Sequence, residues 1–220
     1  MSETIAPSAA EIEELKTIGA ATLYEAQVVL GIDGALDPAL KPLDPRWRIC
    51  GPAFTVDQPA GDNLGIHLAV TKIAAGEVMV VDYKREMNIA VIGDILALAA
   101  RRRGCVAMVV DGAVRDAGEL IGMEFPVFCR GLSIKGPAKD AKATLQQPIT
   151  CGGRSVKPGD IIVGDGDGLV AIDRGRWREV LAKGRERQAK EAGMRAGLYA
   201  GKTTVEMAAL APILTRFGMQ

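Results

Sequence analysis

Two consecutive stretches of the chain each pair a helical apolar pattern with a short apolar strand pattern. In the first, LGIHLAVTKIAAG (64–76) precedes EVMVVDY (77–83), and in the second, VIGDILALAARRRG (91–104) precedes CVAMVVDG (105–112). Both strand patterns are rich in valine and show no polar alternation, which is typical of strands buried on both faces. Because parallel strands are joined by helical crossovers, this order predicts an α/β fold with a parallel core.

The sequence on either side extends the same alternation. Residues 8–29 predict one or two short helices behind a Ser8 cap, and WRICGPAFTVDQ (47–58) predicts a strand. The later predictions are a helix in GELIGM (118–123), a strand in FPVFCRG (125–131), strand-like fragments near the end of 133–157, two strands around a Gly-Asp turn in 157–173, a long helix from about Arg174 into the 190s, and a last helix or an arm. We expect mixed sheets with surrounding helices.

Length and charge limit the classes of function. The chain has 220 residues, and a domain usually has about 100 to 200, so we expect a single domain over 1–220. Lys plus Arg and Asp plus Glu each number 27, which gives a formal net charge of zero. No overall positive field exists to hold a polyanion, and nucleic-acid binding by bulk charge is disfavoured.

Cysteine usage and the start of the chain indicate a compartment. The four cysteines are far apart and form no C-x-x-C pair, which favours buried free thiols in a reducing environment. The opening MSETIAPSAAEIEELK lacks the basic flank and apolar stretch of a signal peptide. No window reaches the roughly 18 apolar residues of a membrane span. We therefore expect a cytoplasmic protein without a membrane partner.

Polar residues stand at both ends of the second helix-strand unit. Residues 93–96 (GDIL) open the predicted helix, Arg115 and Asp116 follow the predicted strand, and twenty residues separate Asp94 from Arg115. That gap is filled by one helix, one strand and one turn. A crossover of this length can return the chain to the same edge of the sheet, which would bring two carboxylates and a guanidinium together.

These residue types suit the recognition of an anionic substrate. At a helix N-terminus the amides of Ile95 and Leu96 lack intrahelical partners and can receive an anionic group. Arg115 offers a planar, always charged fork for a carboxylate or a developing enolate. Asp116 is a hard oxygen ligand suited to Mg²⁺ or Mn²⁺, which need only one or two protein carboxylates.

A purely structural interpretation explains the same residues equally well. In it, Asp94 is a helix cap and Arg115-Asp116 is an exposed turn pair. The spacing alone does not decide between the two.

Specific motifs add a resemblance to a known family. G-D-x-L-A at 93–97 and D-G-x-x-R-D at 111–116 resemble the signature of metal-dependent pyruvate aldolases that cleave 4-hydroxy-4-methyl-2-oxoglutarate and 4-carboxy-4-hydroxy-2-oxoadipate. These aldolases share a family with the ribonuclease activity regulator A (RraA) proteins. PAGDN at 59–63, PGDIIVGDGDG at 158–168 and the charged helix beyond Arg174 extend the resemblance over most of the chain.

The resemblance implies a role for each residue of the two motifs. Asp116 would ligate Mg²⁺ or Mn²⁺, and Asp94 would orient a metal-bound or nearby water for proton transfer. Arg115 would contact the oxygens of the keto acid, and the amides of Ile95 and Leu96 would hold the pyruvyl carboxylate.

In the aldolases a glutamate from a neighbouring subunit completes the site, and the resemblance matches it to Glu191 in RQAKEAGMR. With Asp94 it would reach the cation through water. A solvated helix charge is the alternative account of Glu191. The resemblance also implies the swivelling β/β/α fold and a homotrimer or homohexamer in which the segment 174–220 contacts a neighbouring subunit.

The function implied is a class II pyruvate aldolase: a carbon–carbon lyase that releases pyruvate from 4-hydroxy-2-oxo acids and also decarboxylates oxaloacetate. The alternatives are a non-catalytic regulator that binds a ribonuclease or another protein, and another reaction through the same enolate.

Three further polar features of the sequence have structural or functional interpretations. His67 is the only histidine, so a histidine-rich zinc site is excluded, and a hydrogen-bonded structural histidine is the favoured interpretation. Asp62 and Asn63 either line the pocket mouth or cap a helix. GDGDG at 164–168 lacks the ligand spacing of an EF-hand and indicates a tight hairpin turn.

Overall fold

Helices and strands alternate along most of the chain in the computed structural model, which describes residues 6–219. Residues 1–5 and residue 220 lie outside the described part. The prediction that the chain does not open with a signal peptide therefore falls partly on residues that are not described. The elements are α1 (Ala9–Ile18), α2 (Ala20–Val29), β1 (Lys41–Pro42), β2 (Ile49–Asp57), α3 (Leu64–Lys72), β3 (Val78–Asp82), α4 (Asp94–Arg102), β4 (Ala107–Val114), α5 (Ala117–Gly122), β5 (Val127–Leu132), β6 (Thr144–Leu145), β7 (Ile149–Cys151), β8 (Arg154–Val156), β9 (Ile161–Asp165), β10 (Gly168–Ile172), α6 (Trp177–Tyr199), α7 (Thr204–Met207) and α8 (Ala211–Arg216).

The main sheet is mixed, as predicted. Its strand order is β1-β5-β4-β3-β2-β9-β10, with β6 added to β2. The neighbours β2, β3, β4 and β5 run parallel, whereas β1 and the β9–β10 hairpin are antiparallel to their neighbours. The parallel core therefore places the carboxyl ends of four strands along one edge. A second, two-stranded sheet is formed by β7 and β8.

Alternate residues of the central strands feed two separate apolar clusters. Met79 and Met108 pack among residues of α3, α4 and α5. Val80 and Val109 pack on the opposite face with residues of β7, β8, β9 and β10. Burial on both faces explains why these strands carry continuous apolar runs instead of alternating ones.

A side-chain cap sets the start of α1. Ser8 and Glu11 form a reciprocal capping box at the start of α1, which confirms the predicted cap. The predicted hairpin at 164–168 is the β9–β10 turn. One boundary was wrong: α3 ends at Lys72, not near Gly76, because Ile73 adopts an extended backbone and turns its side chain into the core, where it is 3% exposed.

Two further sequence predictions concern the state of the cysteines and the length of apolar segments. All four cysteines are free and buried. Among residues 6–219, no helix combines the length and the apolar character needed to cross a bilayer.

Candidate active site

The N-terminus of α4 lies beside the carboxyl end of β4. Two backbone hydrogen bonds fix this arrangement: the amide of Val91 donates to the carbonyl of Ala113 at 3.1 Å, and the amide of Arg115 donates to the carbonyl of Ile92 at 3.0 Å. These hydrogen bonds hold the segment before α4 against the end of β4. The sequence prediction that residues 93–96 and Arg115-Asp116 share one edge of the sheet describes this geometry correctly.

Asp116 is held in an unusual backbone conformation between β4 and α5. Its φ of 57° and ψ of 42° are left-handed, a region in which aspartate and asparagine are several-fold enriched among non-glycine residues. The carboxylate oxygen Oδ2 accepts a hydrogen bond from the amide of Asp94 at 3.2 Å and lies 3.3 Å from Nε of Arg115. Oδ1 has no hydrogen-bond partner within residues 6–219.

Gly93 allows this close approach. A Cβ atom added at Gly93 would overlap Oδ2 of Asp116 and would lie 3.0 Å from the Arg115 side chain. The backbone of Gly93 is extended, with φ of −139°, so any residue can adopt it. Glycine is therefore required here for space and not for conformation.

Asp94 is the first helical residue of α4, and the N-cap is Gly93, which has no capping side chain. The alternative in which Asp94 caps the helix is therefore wrong. The carboxylate of Asp94 has no hydrogen-bond or ion-pair partner in the described part of the chain. The amides of Ile95 and Leu96, at the second and third helical positions, likewise have no acceptor there, which leaves them available to an anion.

A pocket of about 190 Å³ opens in front of these groups. Its lining residues include Asp94, Ile95, Leu96 and Arg115 from the predicted site, and Asn63, His67, Pro137 and Lys139 from other segments. Asp116 does not line this pocket but borders an adjacent depression of about 320 Å³, and Arg115 lines both. Asp94, Ile95, Leu96 and Asp116 thus line one or the other of two pockets that share Arg115.

The segment 135–141 forms the outer wall of the pocket. The amide of Ala90 donates to the carbonyl of Lys135 at 2.9 Å, and Ala138 exchanges backbone hydrogen bonds with Gly61 and Asn63 at 2.8 and 3.1 Å. Lys139 is exposed at the mouth, and its ammonium group has no ion-pair partner within residues 6–219. Sequence reasoning missed Lys139 because this segment has no helical or strand periodicity that would place it.

Asp62 anchors this wall from beneath. It is 3% exposed, and its carboxylate accepts hydrogen bonds from the amides of Leu64, Asp140 and Ala141 at 2.8, 2.5 and 3.1 Å. Burial disfavours the charged form, but these amides outweigh it and hold the pKa of Asp62 below its ordinary value. Of the two residues predicted for the pocket mouth, Asn63 lines the pocket, and Asp62 is a structural anchor.

The prediction that His67 is a hydrogen-bonded structural histidine is wrong. Its side chain is exposed, lines the pocket and has no hydrogen-bond partner in the described residues, so it is not a hydrogen-bonded structural histidine. The pattern placed it correctly on a helix, α3, but not at the pocket.

Glu191 lies outside the pocket of its own chain. It is on α6, where its carboxylate pairs with Arg187 at 3.1 Å and Arg195 at 3.6 Å, and α6 packs mainly against α2. Its proposed contribution to the site of a neighbouring copy of the chain stays a prediction.

A metal held by many protein ligands does not fit the described residues. No group of three or more histidine, cysteine, aspartate and glutamate side chains is placed to hold an ion within residues 6–219. The unpartnered Oδ1 of Asp116 and the unpartnered carboxylate of Asp94 do fit an ion such as Mg²⁺, which keeps most of its waters and uses one or two protein carboxylates.

Comparisons with known proteins identify the family of this chain. A profile of the RraA-like family, described as Aldolase/RraA, matches residues 20–171. A Halalkalibacterium halodurans protein, provisionally named a 4-hydroxy-4-methyl-2-oxoglutarate aldolase, is 36% identical over 182 residues, 82% of this chain and 84% of its own.

Two solved structures have the same fold. A Pseudomonas syringae protein described as uncharacterized superposes with a TM-score of 0.81 at 27% identity, covering 93% of this chain and 99% of its own. The RNA-processing inhibitor RraA of Thermus thermophilus superposes with a TM-score of 0.61 at 29% identity, covering 68% and 91%. The fold class expected from the motif resemblance is confirmed, and the chain belongs to the RraA-like family.

Proposed function

We propose that this protein is a divalent-metal-dependent lyase that cleaves 4-hydroxy-2-oxo acids to pyruvate and a second oxo acid. One observation carries the proposal: the free amides at the N-terminus of α4, the carboxylate of Asp94 and the guanidinium of Arg115 line one pocket. The name of the Halalkalibacterium halodurans relative supports this class of reaction.

The pocket distributes positive groups to suit a small acid with a carboxylate at each end. The amides of Ile95 and Leu96 receive the carboxylate next to the keto group, because the helix terminus favours negative charge. Arg115 lies against the keto oxygen. Lys139, at the mouth, attracts the distal carboxylate, which favours dicarboxylic and tricarboxylic substrates.

Asp116 is the proposed ligand of Mg²⁺ or Mn²⁺, with Asp94 reaching the ion through water. When bound, the ion adds positive charge beside the C2 oxygen of the substrate and stabilises the negative charge that develops there. Both carboxylates have unpartnered oxygens in the described structure, as a ligand requires.

Cleavage shifts electron pairs in turn from the 4-hydroxyl, through the C3–C4 bond, to the C2 oxygen. The 4-hydroxyl loses its proton, its oxygen forms a carbonyl at C4, the C3–C4 bond breaks, and charge moves to the C2 oxygen, where Arg115 stabilises the enolate. Asp94 holds the water that carries the proton and delivers one to C3, which yields pyruvate. Loss of carbon dioxide from oxaloacetate gives the same enolate, so decarboxylation accompanies cleavage.

A neighbouring copy of the chain completes the site in this proposal. Glu191 is outside the pocket of its own subunit, and α6 ends in an exposed surface with Tyr199 92% exposed. Contact between the segment 174–220 and another subunit brings Glu191 to the second site in a homotrimer or homohexamer.

A non-catalytic regulator that binds a ribonuclease is the second candidate, favoured by the similarity to the Thermus thermophilus RNA-processing inhibitor. The unpartnered polar groups around the pocket favour the enzyme, because a protein-binding surface does not require them. Recovery of a ribonuclease in a pull-down, together with no lyase activity, would reverse this ranking.

The test is a lactate-dehydrogenase-coupled assay for pyruvate across 4-hydroxy-2-oxo acids and oxaloacetate, with Mg²⁺, with Mn²⁺ and with excess EDTA. Arg115→Ala is expected to lower kcat/KM by about 10²- to 10³-fold, because it removes a group that stabilises developing charge. Arg102→Ala, an exposed arginine at the far end of α4, is the matched control and keeps full activity. Undiminished turnover in EDTA would contradict the metal requirement.

A further inference from the structure

Asn63 has an unsatisfied hydrogen-bond acceptor. It stands at the N-cap of α3, is 4% exposed, and donates from Nδ2 to the carbonyl of Val91 at 3.0 Å. Its backbone amide bonds to the carbonyl of Ala138. Its Oδ1 is buried and has no hydrogen-bond partner among residues 6–219. Because the Nδ2 donor is committed to Val91, the orientation of the amide is fixed, and Oδ1 is the free atom.

Buried polar atoms in folded proteins are nearly always paired, so an unpaired one calls for an explanation. Asn63 is also one of the residues that line the pocket in front of α4. A ligand in that pocket is therefore the candidate partner for Oδ1, because the side chain that carries this atom belongs to the pocket wall.

The partner must carry a hydrogen to donate. Substrate carboxylates and the keto oxygen are acceptors and would be repelled by an amide oxygen, and the amides of α4, Arg115 and Lys139 already suit them. A hydroxyl group is the neutral donor that fits a small oxo acid. It is also the group that distinguishes a substrate open to aldol cleavage from one that is not.

We infer that Asn63 selects the substrate by accepting, at Oδ1, a hydrogen bond from a hydroxyl on its carbon chain. This inference rests on the proposed function and deepens it. The pocket discriminates hydroxylated 2-oxo acids from equally charged analogues without the hydroxyl, because an analogue leaves Oδ1 buried and unpaired.

Asn63→Leu tests the inference in the metal-loaded protein, because leucine is similar in size and has no acceptor. Two quantities are compared: kcat/KM for cleavage of 4-hydroxy-2-oxoglutarate, and the inhibition constant of 2-oxoglutarate, which has the same two carboxylates and no hydroxyl. Loss of the Nδ2 bond to Val91 affects both ligands alike, whereas loss of Oδ1 affects only the hydroxylated one.

We expect kcat/KM for the hydroxylated acid to fall by about 10- to 100-fold, the effect of one lost hydrogen bond in a buried site. The inhibition constant of 2-oxoglutarate is expected to change by less than about threefold. Asn63→Ala serves as the second variant if the leucine protein does not fold, and melting temperatures are recorded for both.

The outcomes separate this inference from the proposed function. Equal changes for the two ligands, or no change in either, would overturn the role of Asn63 while wild-type pyruvate release leaves the lyase proposal intact. A wild-type protein that releases no pyruvate overturns the proposed function, and the assignment of Asn63 falls with it.

Discussion

Asp111 and Asp116 belong to the same six-residue motif and lie five residues apart, yet the structure uses them in opposite ways. Asp111 is 2% exposed, and both of its carboxylate oxygens are occupied. Asp116 has a side chain that is 32% exposed, and one of its oxygens has no partner in the part of the chain that the structure describes.

The surroundings of Asp111 explain its saturation. Oδ1 pairs with Nε of Arg130, and Oδ2 accepts from the amide of Gly152 at 2.7 Å. Arg130, itself only 10% exposed, also bonds to Asp37 at 2.9 Å. This network ties β4 and β5 to the β7–β8 hairpin. A saturated carboxylate of this kind serves the fold, whereas an unsaturated one beside free amides is available to a ligand.

Replacement of Asp111 by asparagine is the variant expected to have the largest effect on stability. Asp111→Asn should lower the free energy of unfolding by about 3 kcal/mol, because it removes one partner of a buried ion pair. Denaturant titration measures the change.

Asp116→Asn is the matched variant at the other aspartate. Its pair with Arg115 is partly exposed, and such pairs contribute only about 0 to 1 kcal/mol, so its unfolding midpoint should remain near that of the wild type while activity is lost. Equal destabilisation by the two variants would contradict the distinction between them.

A substitution that crowds the carboxylate of Asp116 should impair activity without removing any catalytic group. Gly93→Ala places a methyl group against Oδ2 of Asp116, and displacement of a positioned group by about 1 Å costs roughly 10²-fold in rate. The coupled pyruvate assay measures kcat/KM. Gly118→Ala, in the next helix, meets no atom within 4 Å and is the control that keeps full activity. Full activity in Gly93→Ala would show that Asp116 need not stay in place.

The smallest predicted effect is the loss of the stabilisation that Asp62 gives to the pocket wall, and this stabilisation depends on pH. Because the pKa of Asp62 is lowered in the folded protein, its stabilisation is fully present above the ordinary carboxyl pKa and is lost as pH falls through the lowered value. Asp62→Asn should cost about 1–2 kcal/mol at pH 7.

Unfolding titrations of the two proteins at several pH values test this prediction. The difference between wild type and Asp62→Asn should shrink progressively below about pH 4. A difference that stays constant down to pH 2 would show that the charge of Asp62 does not hold the segment 135–141.

Periodic segments could be predicted from the sequence, and irregular ones could not. The α3–β3 and α4–β4 units follow from their apolar patterns, and the meeting of Asp94 with Arg115 follows from the length of one crossover. The motif resemblance then assigned roles that spacing alone left open between a helix cap and a site.

What escaped prediction depends on contacts distant in the sequence. Lys139 reaches the pocket because the segment 135–141 crosses back over residues 61–63, and no local pattern encodes that crossing. The division of labour between Asp111 and Asp116 likewise depends on Arg130 and Gly152, which belong to other strands and turns. Sequence patterns placed the elements, and tertiary contacts decided which polar groups remain free.

The left-handed backbone of Asp116 restricts how this position can vary. Glycine adopts such a conformation most easily but brings no oxygen, and β-branched residues adopt it only under strain. In a saturation library at position 116, most substitutions would therefore lose two properties. They would strain the left-handed turn, and they would remove the carboxylate. Asparagine would keep the turn and remove only the charge. Because aspartate and asparagine differ in a single side-chain heavy atom, comparing them at position 116 separates the effect on the backbone from the effect on activity.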